Sequence, residues 1–320
     1  MSDISDTNDQ SQSKKGTKPK SKPDIMDALK PLIEVLRDGD DDEAKKSIAC
    51  TAISKFLKDS VSTNPILNTY NLLIHYDFTT LLKNDADDIY SAVTSFQDKK
   101  HVLMLIHSYG GEIGAAYLIG QLCREYSNGK LVITVPRVAK SAATLLSCAA
   151  DEIHMGSMSE LGPIDPQIND MPVLGLKNSI EHISQLVSDH PKSSDMFAEY
   201  LSKTVKPIDI GYNERVAESA MQYAERLLST HKNVLSDTPS NIAKSLVYTY
   251  KDHSFVIDKN EATAIFGDKV VKINSAEYNF SNEIYVSLKM FKEFASAFNY
   301  HFVYIGTLEK GAKLIKKQKR

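Results

Sequence analysis

Residues 101–111, HVLMLIHSYGG, join an apolar run to a double glycine. The run 101–107 is short, continuous and aliphatic, which predicts a strand buried on both faces. Apolar residues recur at helical spacing over 114–126, and a second apolar strand is predicted over 130–135. Strands separated by helices of about 10 to 15 residues are typical of crossover connections in a parallel sheet. The sequence therefore predicts an α/β fold.

The same alternation of strands and helices continues on both sides of this stretch. Further strands are predicted over 71–76 and 152–155. Helices dominate after residue 178, which predicts a helical C-terminal part. The predicted helices cover 85–96, 141–150, 179–188, 194–201, 213–235, 240–250, 259–266 and 282–299.

The composition limits the class of protein. The chain has 320 residues, of which 42% are hydrophobic and 25% charged, enough to bury a sizeable core. The 38 basic and 41 acidic residues give a net charge of -3. This balance argues against nucleic acid as the main partner, because binding a phosphate backbone needs a positive excess. Cys50, Cys123 and Cys148 lack CxxC spacing, which favours a reducing compartment over a disulfide framework.

Composition also divides the chain into segments. Residues 1–22 are polar with almost nothing to bury and are predicted as a disordered tail. Two helical patterns over 23–60 form a predicted N-terminal arm, whose apolar stripes need the main domain or another subunit as a partner. The main domain is predicted over 61–305. Residues 306–320 are predicted as a basic C-terminal tail that would suit acidic lipid headgroups in a weak peripheral membrane contact.

Transmembrane and leader segments are not predicted. No apolar run approaches the roughly 18 residues that span a bilayer, and the N-terminal sequence has no apolar core of a signal peptide. We therefore expect a cytoplasmic protein.

Two turns carry candidate chemistry, and the first is Gly110-Gly111. A double glycine directly after a buried strand lets the backbone approach a ligand, and its N–H groups can hold a negative oxygen. The spacing is not that of a dinucleotide fingerprint. By itself, the pair also fits a tight strand-to-helix turn without function.

The second turn is PRVAKSAAT, residues 136–144, in which Ser141 begins a helix of small apolar residues. A serine hydroxyl there lies near backbone N–H groups that can stabilise an oxyanion. A serine at a helix start is, however, most often an N-cap. The combination of a glycine turn with a helix-start serine 30 residues later favours the functional interpretation.

The order of these motifs resembles a known family. The succession SYGG, AKSAAT, ADEIHMG and LGPIDPQ, spread over residues 108–167, is similar to the serine dehydrogenase proteinase family. That family is a soluble relative of signal peptide peptidase A in the Clp-protease/crotonase superfamily. The resemblance covers about residues 66–275. It implies a spiral of ββα units, a serine peptidase that acts on peptides or unfolded protein, and a homo-oligomer.

The resemblance also implies the roles of individual residues. Ser141 would be the nucleophile, and the N–H groups of Gly110 or Gly111 and of Ala142 would form the oxyanion hole. A triad in the chain order serine, aspartate, histidine would follow. Asp165 fits the aspartate because two prolines stiffen its loop. His253, in the segment YKDH, fits the histidine.

Alternatives to His253 stay open. His182 follows the Asp165 loop on a predicted helix. The signal peptide peptidase relatives use a lysine base, for which Lys177 lies at a plausible distance along the chain. A lysine can deprotonate serine only where burial lowers its pKa. Lys140, beside the nucleophile, is expected on the outer side of the turn, with a position inside the site as the alternative.

Two alternatives to the peptidase stay open. A catalytically inactive Clp-fold scaffold would keep the glycine turn and need no histidine near Ser141. Acyl-CoA chemistry of the crotonase type would need carboxylates instead of a serine at this helix start. We find no metal-ligand spacing such as His-x-x-x-His and no cofactor motif, so no metal and no cofactor are predicted.

Overall fold

The computed structural model describes residues 23–38, 42–168, 171–230 and 234–317. The predicted tail 1–22 lies outside the described residues. Within them, the predicted alternation of strands and helices is present. The strands are β1 Tyr70–Tyr76, β2 His101–His107, β3 Leu131–Val135, β4 Val138–Ala139, β5 Glu152–Met155, β6 Glu160–Leu161, β7 Gln167–Ile168, β8 Met171–Pro172, β9 Val271–Ile273, β10 Tyr300–Gly306 and β11 Ala312–Lys316.

A seven-stranded sheet forms the centre, in the order β11-β10-β1-β2-β3-β5-β9. Strands β1, β2, β3, β5 and β9 are parallel neighbours, and β10 and β11 are antiparallel additions at one edge. In the five parallel strands, carboxyl ends meet at one edge of the sheet, where open α/β sheets gather their ligand-binding residues. The short strands β4 and β6 pair separately.

Helices connect the strands and cover both faces of the sheet. Two of them, α4 and α5, link the parallel strands β1, β2 and β3 as crossovers. The helices are α1 Met26–Asp38, α2 Glu43–Val61, α3 Ile66–Thr69, α4 Lys83–Thr94, α5 Ile113–Glu125, α6 Ala142–Ser147, α7 Val173–Asp189, α8 Ser194–Thr204, α9 Pro207–Leu228, α10 Pro239–Tyr248, α11 Lys259–Phe266 and α12 Ala276–Ala297.

Both faces of the sheet are buried, as the apolar run in β2 predicts. Met104 and Ile106 pack into a core with α4, α5, α6, α9 and α10. Leu103 and Leu105 point the other way, into a second core with α1, α2 and α12. Alternate residues of a strand face opposite sides, so a strand with core on both sides needs a continuous apolar sequence.

The N-terminal arm packs on its own chain. Leu32 of α1 and Ile53 and Leu57 of α2 are buried in the second core. The Ser54 hydroxyl of α2 also donates to the hydroxyl oxygen of Tyr304, on β10, at 3.2 Å. Of the two partner surfaces left open by the sequence, the arm contacts the main domain.

The C-terminal segment departs from the prediction. Residues 306–320 were expected to be a basic tail, but 312–316 form β11, which pairs with β10. Leu314 is buried, and Lys313 forms an ion pair with Asp88 of α4. Because an edge strand rich in lysine has the composition of a solvated tail, this strand was not predicted from the sequence.

Among the described residues, no helix is long and apolar enough to cross a membrane.

Candidate active site

The two turns singled out by sequence lie against each other. The N–H of Ser108 donates to Val138 O, and the N–H of Lys140 donates to Ser108 O, each at 3.0 Å. A Cβ on Gly110 would lie 2.8 Å from Ser141 Cβ and 3.1 Å from Ala142 N. Since real Cβ atoms need more room than this, and since Gly110 has a φ of 103°, only glycine fits. The glycine turn therefore borders the candidate nucleophile.

Ser141 lies between β4 and α6 in an unusual backbone conformation. Its φ is 52° and its ψ is -116°, outside the regions that side-chain-bearing residues favour. The residue is only 8% exposed. Strained serines on sharp strand-to-helix turns are known in hydrolases, where the turn presents the hydroxyl. Around it, the Thr144 hydroxyl donates to Ala139 O at 2.7 Å and braces the turn.

The Asp165 loop is held beside the same turn. The N–H of Gly162 donates to Thr144 Oγ1 at 3.1 Å, and the N–H of Ile164 donates to Leu246 O of α10 at 2.9 Å. Asp165 is 7% exposed. One buried hydroxyl, that of Thr144, thus connects the nucleophile helix with the aspartate loop.

His253 lies in the loop between α10 and α11 and faces Asp165. Its Nδ1 is 3.5 Å from Asp165 Oδ2. This distance fits an ion pair rather than a hydrogen bond. Among the described residues, neither His253 Nδ1 nor Asp165 Oδ1 has a hydrogen-bond partner. Catalytic hydrogen bonds are often long before substrate binds. The loop is fixed at its end by two hydrogen bonds between Ile257 and Leu161, of 2.9 and 3.0 Å.

Lys140 was expected on the outer side of its turn, but its side chain lies inside. Its side chain is 12% exposed, and Nζ lies 3.3 Å from Glu160 Oε2. The same ammonium donates to Ser254 O at 2.8 Å. Lys140 therefore connects the turn that carries Ser141 with the loop that carries His253.

Gly110 and Gly111, the glycines expected to supply an oxyanion donor, differ in their surroundings. The N–H of Gly110 donates to the neighbouring Ser108 Oγ at 3.1 Å, so it is engaged in this structure. The Gly110 carbonyl accepts from Leu81 N–H at 2.9 Å. A Cβ on Gly111 would lie 2.2 Å from Leu81 O, which explains the second glycine as a close backbone approach. Of the two glycines, Gly111 is the better candidate donor.

The alternative bases lie on α7 and face solvent. Lys177 is 46% exposed and pairs with Glu214 Oε1 of α9 at 3.3 Å. A lysine base needs burial away from carboxylates. Lys177 is instead exposed and lies beside a carboxylate. His182 is exposed as well.

Two further histidines near strand ends are buried. Burial, followed in effect by the positive charge of Arg137, lowers the pKa of His107 to about 3, and neither ring nitrogen has a hydrogen-bond partner among the described residues. Burial also lowers the pKa of His154, against the opposing effect of Glu152. His154 lies 2.6 Å from Ser275 Oγ at the start of α12. Both histidines pack inside the fold.

The electrostatics of the loop that carries His253 favour a charged Asp252. The N–H and the hydroxyl of Ser254 both donate to Asp252 Oδ1 at 2.9 Å. These hydrogen bonds, with His253 and Lys140 nearby, lower the pKa of Asp252. No group of three or more histidine, cysteine, aspartate or glutamate residues within the described ranges could hold a metal ion.

Comparison with known proteins bears on the class of protein. Residues 68–208 match the model of the ClpP-like SDH-type serine proteinases. The resemblance inferred from sequence is thereby confirmed at the level of a serine proteinase family. The matched segment contains Gly110, Ser141 and Asp165 and ends before His253. It is also shorter than the range of about 66–275 expected from the sequence.

Two uncharacterized proteins of Methanocaldococcus jannaschii are related in sequence. One is 33% identical over 106 residues, covering 33% of this chain and 36% of that protein. The other is 30% identical over 114 residues, covering 36% of this chain and 38% of that protein. The matches span little more than a third of the length of either relative.

Several solved structures that align with the chain are proteases. The membrane-bound stomatin-specific protease 1510-N aligns with a TM-score of 0.41 and 13% identity, covering 78% of this chain and 97% of that one. A second structure of that protease, in complex with a substrate peptide, has the same score and covers 88% of its chain. ClpP1 from Listeria monocytogenes aligns with a TM-score of 0.39 and 12% identity, over 65% of this chain and 94% of that one. The predicted α/β fold class is confirmed by the central sheet and the helices that cover it.

Proposed function

We propose that the protein is a serine peptidase that cleaves peptide bonds through an acyl-enzyme on Ser141. The observation that carries the proposal is the approach of Asp165 and His253, residues far apart in sequence, with 3.5 Å between carboxylate and imidazole. Lys140 joins their loop to the strained turn of Ser141. A serine, a histidine and a buried carboxylate are the groups that this chemistry needs.

The proposed reaction follows from these groups. Ser141 Oγ attacks the peptide carbonyl carbon while the Nε2 of His253 takes the hydroxyl proton. Asp165 holds the Nδ1 side of the ring, which fixes the tautomer and stabilises the imidazolium. The imidazolium then gives its proton to the leaving amine. Water, activated by the same histidine, hydrolyses the ester and releases Ser141.

The negative oxygen of the tetrahedral intermediate needs donors that are already in place. The N–H groups of Gly111 and Ala142 are the proposed donors, because Gly110, the residue before Gly111, packs against Ser141 Cβ and Ala142 N. An extended peptide would lie beside the Gly110-Gly111 turn and pair with its backbone. Peptides and unfolded protein segments are therefore the proposed substrates.

The predicted homo-oligomer belongs to the same proposal. Helix α8 and the start of α9 expose large apolar side chains, including Met196, Tyr200 and Ile208, at 60%, 60% and 75% exposure. Apolar surface of this kind favours contact with another protein surface. A second copy of the chain is the proposed partner.

The test is labelling with a fluorophosphonate probe, which reacts with activated serines. We expect wild type to be labelled and Ser141→Ala to lose both labelling and cleavage of fluorescein-casein, with an unchanged melting temperature. Ser147→Ala is the matched control, because Ser147 is buried in the same helix with its hydroxyl donating to Ala143 O. Labelling that persists in Ser141→Ala would refute the nucleophile. A wild type that neither labels nor cleaves would favour the inactive scaffold.

A further inference from the structure

Lys140 joins three segments of the proposed site. Its backbone belongs to the turn that presents Ser141. Its ammonium pairs with Glu160 at the start of β6, just ahead of the Asp165 loop, at 3.3 Å. The same ammonium donates to Ser254 O, directly after His253, at 2.8 Å.

The aliphatic part of Lys140 is packed as closely as its charged end. A Cβ on Gly162 would lie 2.9 Å from Lys140 Cγ and 3.2 Å from Lys140 Cβ and Cδ. Gly162 therefore leaves the space in which the lysine side chain runs from one loop to the next. The side chain is held along its length and is only 12% exposed.

The loop that receives this hydrogen bond has little other support in its middle. Residues 251–256 are exposed except for the half-buried His253. The loop is anchored before this stretch by the Tyr250 hydroxyl, which donates to Glu261 Oε1 at 2.6 Å. It is anchored after it by the pairing of Ile257 with Leu161. The Lys140 contact lies between these anchors, one residue from the proposed base.

We propose that Lys140 is a positioning residue that holds His253 in register with Ser141, an inference that rests on the proposed function. The ammonium donates to a carbonyl and pairs with a carboxylate, so it offers no lone pair to accept the proton of Ser141. Its effect is transmitted through the backbone of Ser254. A base displaced by about 1 Å can cost on the order of a hundredfold in rate.

Hydrogen–deuterium exchange tests the tie without any measurement of activity. In Lys140→Met, we expect faster exchange in peptides covering residues 250–258 than in wild type. Lys100→Met is the matched control, because Lys100 Nζ also donates to a carbonyl, Leu67 O at 3.0 Å, and pairs with Asp98 at 3.4 Å. It lies at the start of β2 and should leave 250–258 unchanged. Unchanged exchange there in Lys140→Met, or equal acceleration in both variants, would overturn the proposal.

A double-mutant cycle tests the consequence for chemistry. Lys140→Met should slow fluorophosphonate labelling of Ser141 by about tenfold to a hundredfold in the wild-type background. In a His253→Ala background it should cause no further loss, because a residue that acts through His253 has nothing left to position. An equal loss in both backgrounds would show that Lys140 acts on the Ser141 turn itself and would refute the inference.

A second substitution guards against a lysine variant that fails to fold. Gly162→Ala crowds the aliphatic part of Lys140 and keeps its charge. It should raise exchange at 250–258 and slow labelling only where His253 is present. If Ser141→Ala still labels, the peptidase proposal fails, while the exchange experiment still decides whether Lys140 holds the loop.

Discussion

Ser141 has a backbone conformation that costs on the order of 1 to 3 kcal/mol in a side-chain-bearing residue. Neighbouring contacts must offset that cost, and two are visible. The Thr144 hydroxyl donates to Ala139 O, two residues before Ser141. Gly110, which has no Cβ, leaves room for Ser141 Cβ. A turn stabilised from outside in this way presents its hydroxyl in one direction, which is what a nucleophile requires.

His107 gives a residue-scale prediction of pH dependence. The unfolded chain protonates this imidazole below a pKa of about 6.5, whereas burial keeps it neutral in the folded chain down to about 3. Between these values the unfolded state binds the extra proton, so the free energy of unfolding falls as the pH falls. The contribution from His107 is about 1.4 kcal/mol per pH unit.

His107→Phe should remove this acid sensitivity. The ring lies among Tyr76, Phe78 and Tyr285, at centroid distances of 5.2, 4.4 and 5.2 Å, and phenylalanine keeps that packing. Urea unfolding at pH 7 and pH 5 should show the variant losing about 2 kcal/mol less than wild type over this interval. Equal losses in the two proteins would contradict the assignment of a buried neutral histidine.

Helix α2 supplies the prediction at the scale of elements. Ile53 is 0% exposed in the second core, whereas Ile48 on the same helix is 62% exposed. Ile53→Ala should therefore lower the free energy of unfolding by about 2 to 5 kcal/mol, and Ile48→Ala by no more than about 0.5 kcal/mol. Urea midpoints for both variants measure the difference. Similar small effects would show that the arm does not belong to the core.

The elements that sequence predicts best are those with one dominant signal. The predicted strands 101–107 and 152–155 and the helix 259–266 have the bounds found in β2, β5 and α11. The long helix predicted over 213–235 instead runs Pro207–Leu228, and Pro207 at its start is a signal that was overlooked. Strands β9, β10 and β11 were missed. β11 in particular combines an inward Leu314 with a half-buried Lys313 and an exposed Lys316, a composition that resembles a solvated tail.

The candidate site was predictable where backbone demands leave a mark in sequence. The glycine at 110 and the two prolines around Asp165 are features of this kind. The structure brings Gly110 into contact with Ser141. The approach of His253 to Asp165 was inferred from family resemblance, since nothing in residue spacing reports it. The contact of Lys140 with Ser254 O was not predicted, because a hydrogen bond to a carbonyl constrains no residue type on the accepting side.

At the scale of the whole molecule, the C-terminal segment completes the sheet. β10 lies between β1 and β11, so the last strands in sequence shield the first one. Tyr300 and Tyr304 are buried, and the Tyr304 hydroxyl lies 2.9 and 3.1 Å from Thr307 O and Leu308 O, the two carbonyls that can accept its one proton. The arm, the sheet edge and the C-terminus therefore share one core, although they lie at opposite ends of the chain.

Removal of residues 300–320 should consequently disrupt more than a tail. β1 would lose its antiparallel partner, and the apolar surface under α1, α2 and α12 would meet water. We expect the truncated chain to lose cooperative unfolding in guanidinium chloride, monitored by circular dichroism, and to lose labelling of Ser141 with it. Ile315→Thr, at a 52% exposed position of β11, is the control and should keep both. A truncated chain with the wild-type midpoint and slope would show that the parallel part of the sheet folds without β10 and β11, and that the site does not depend on the edge they form.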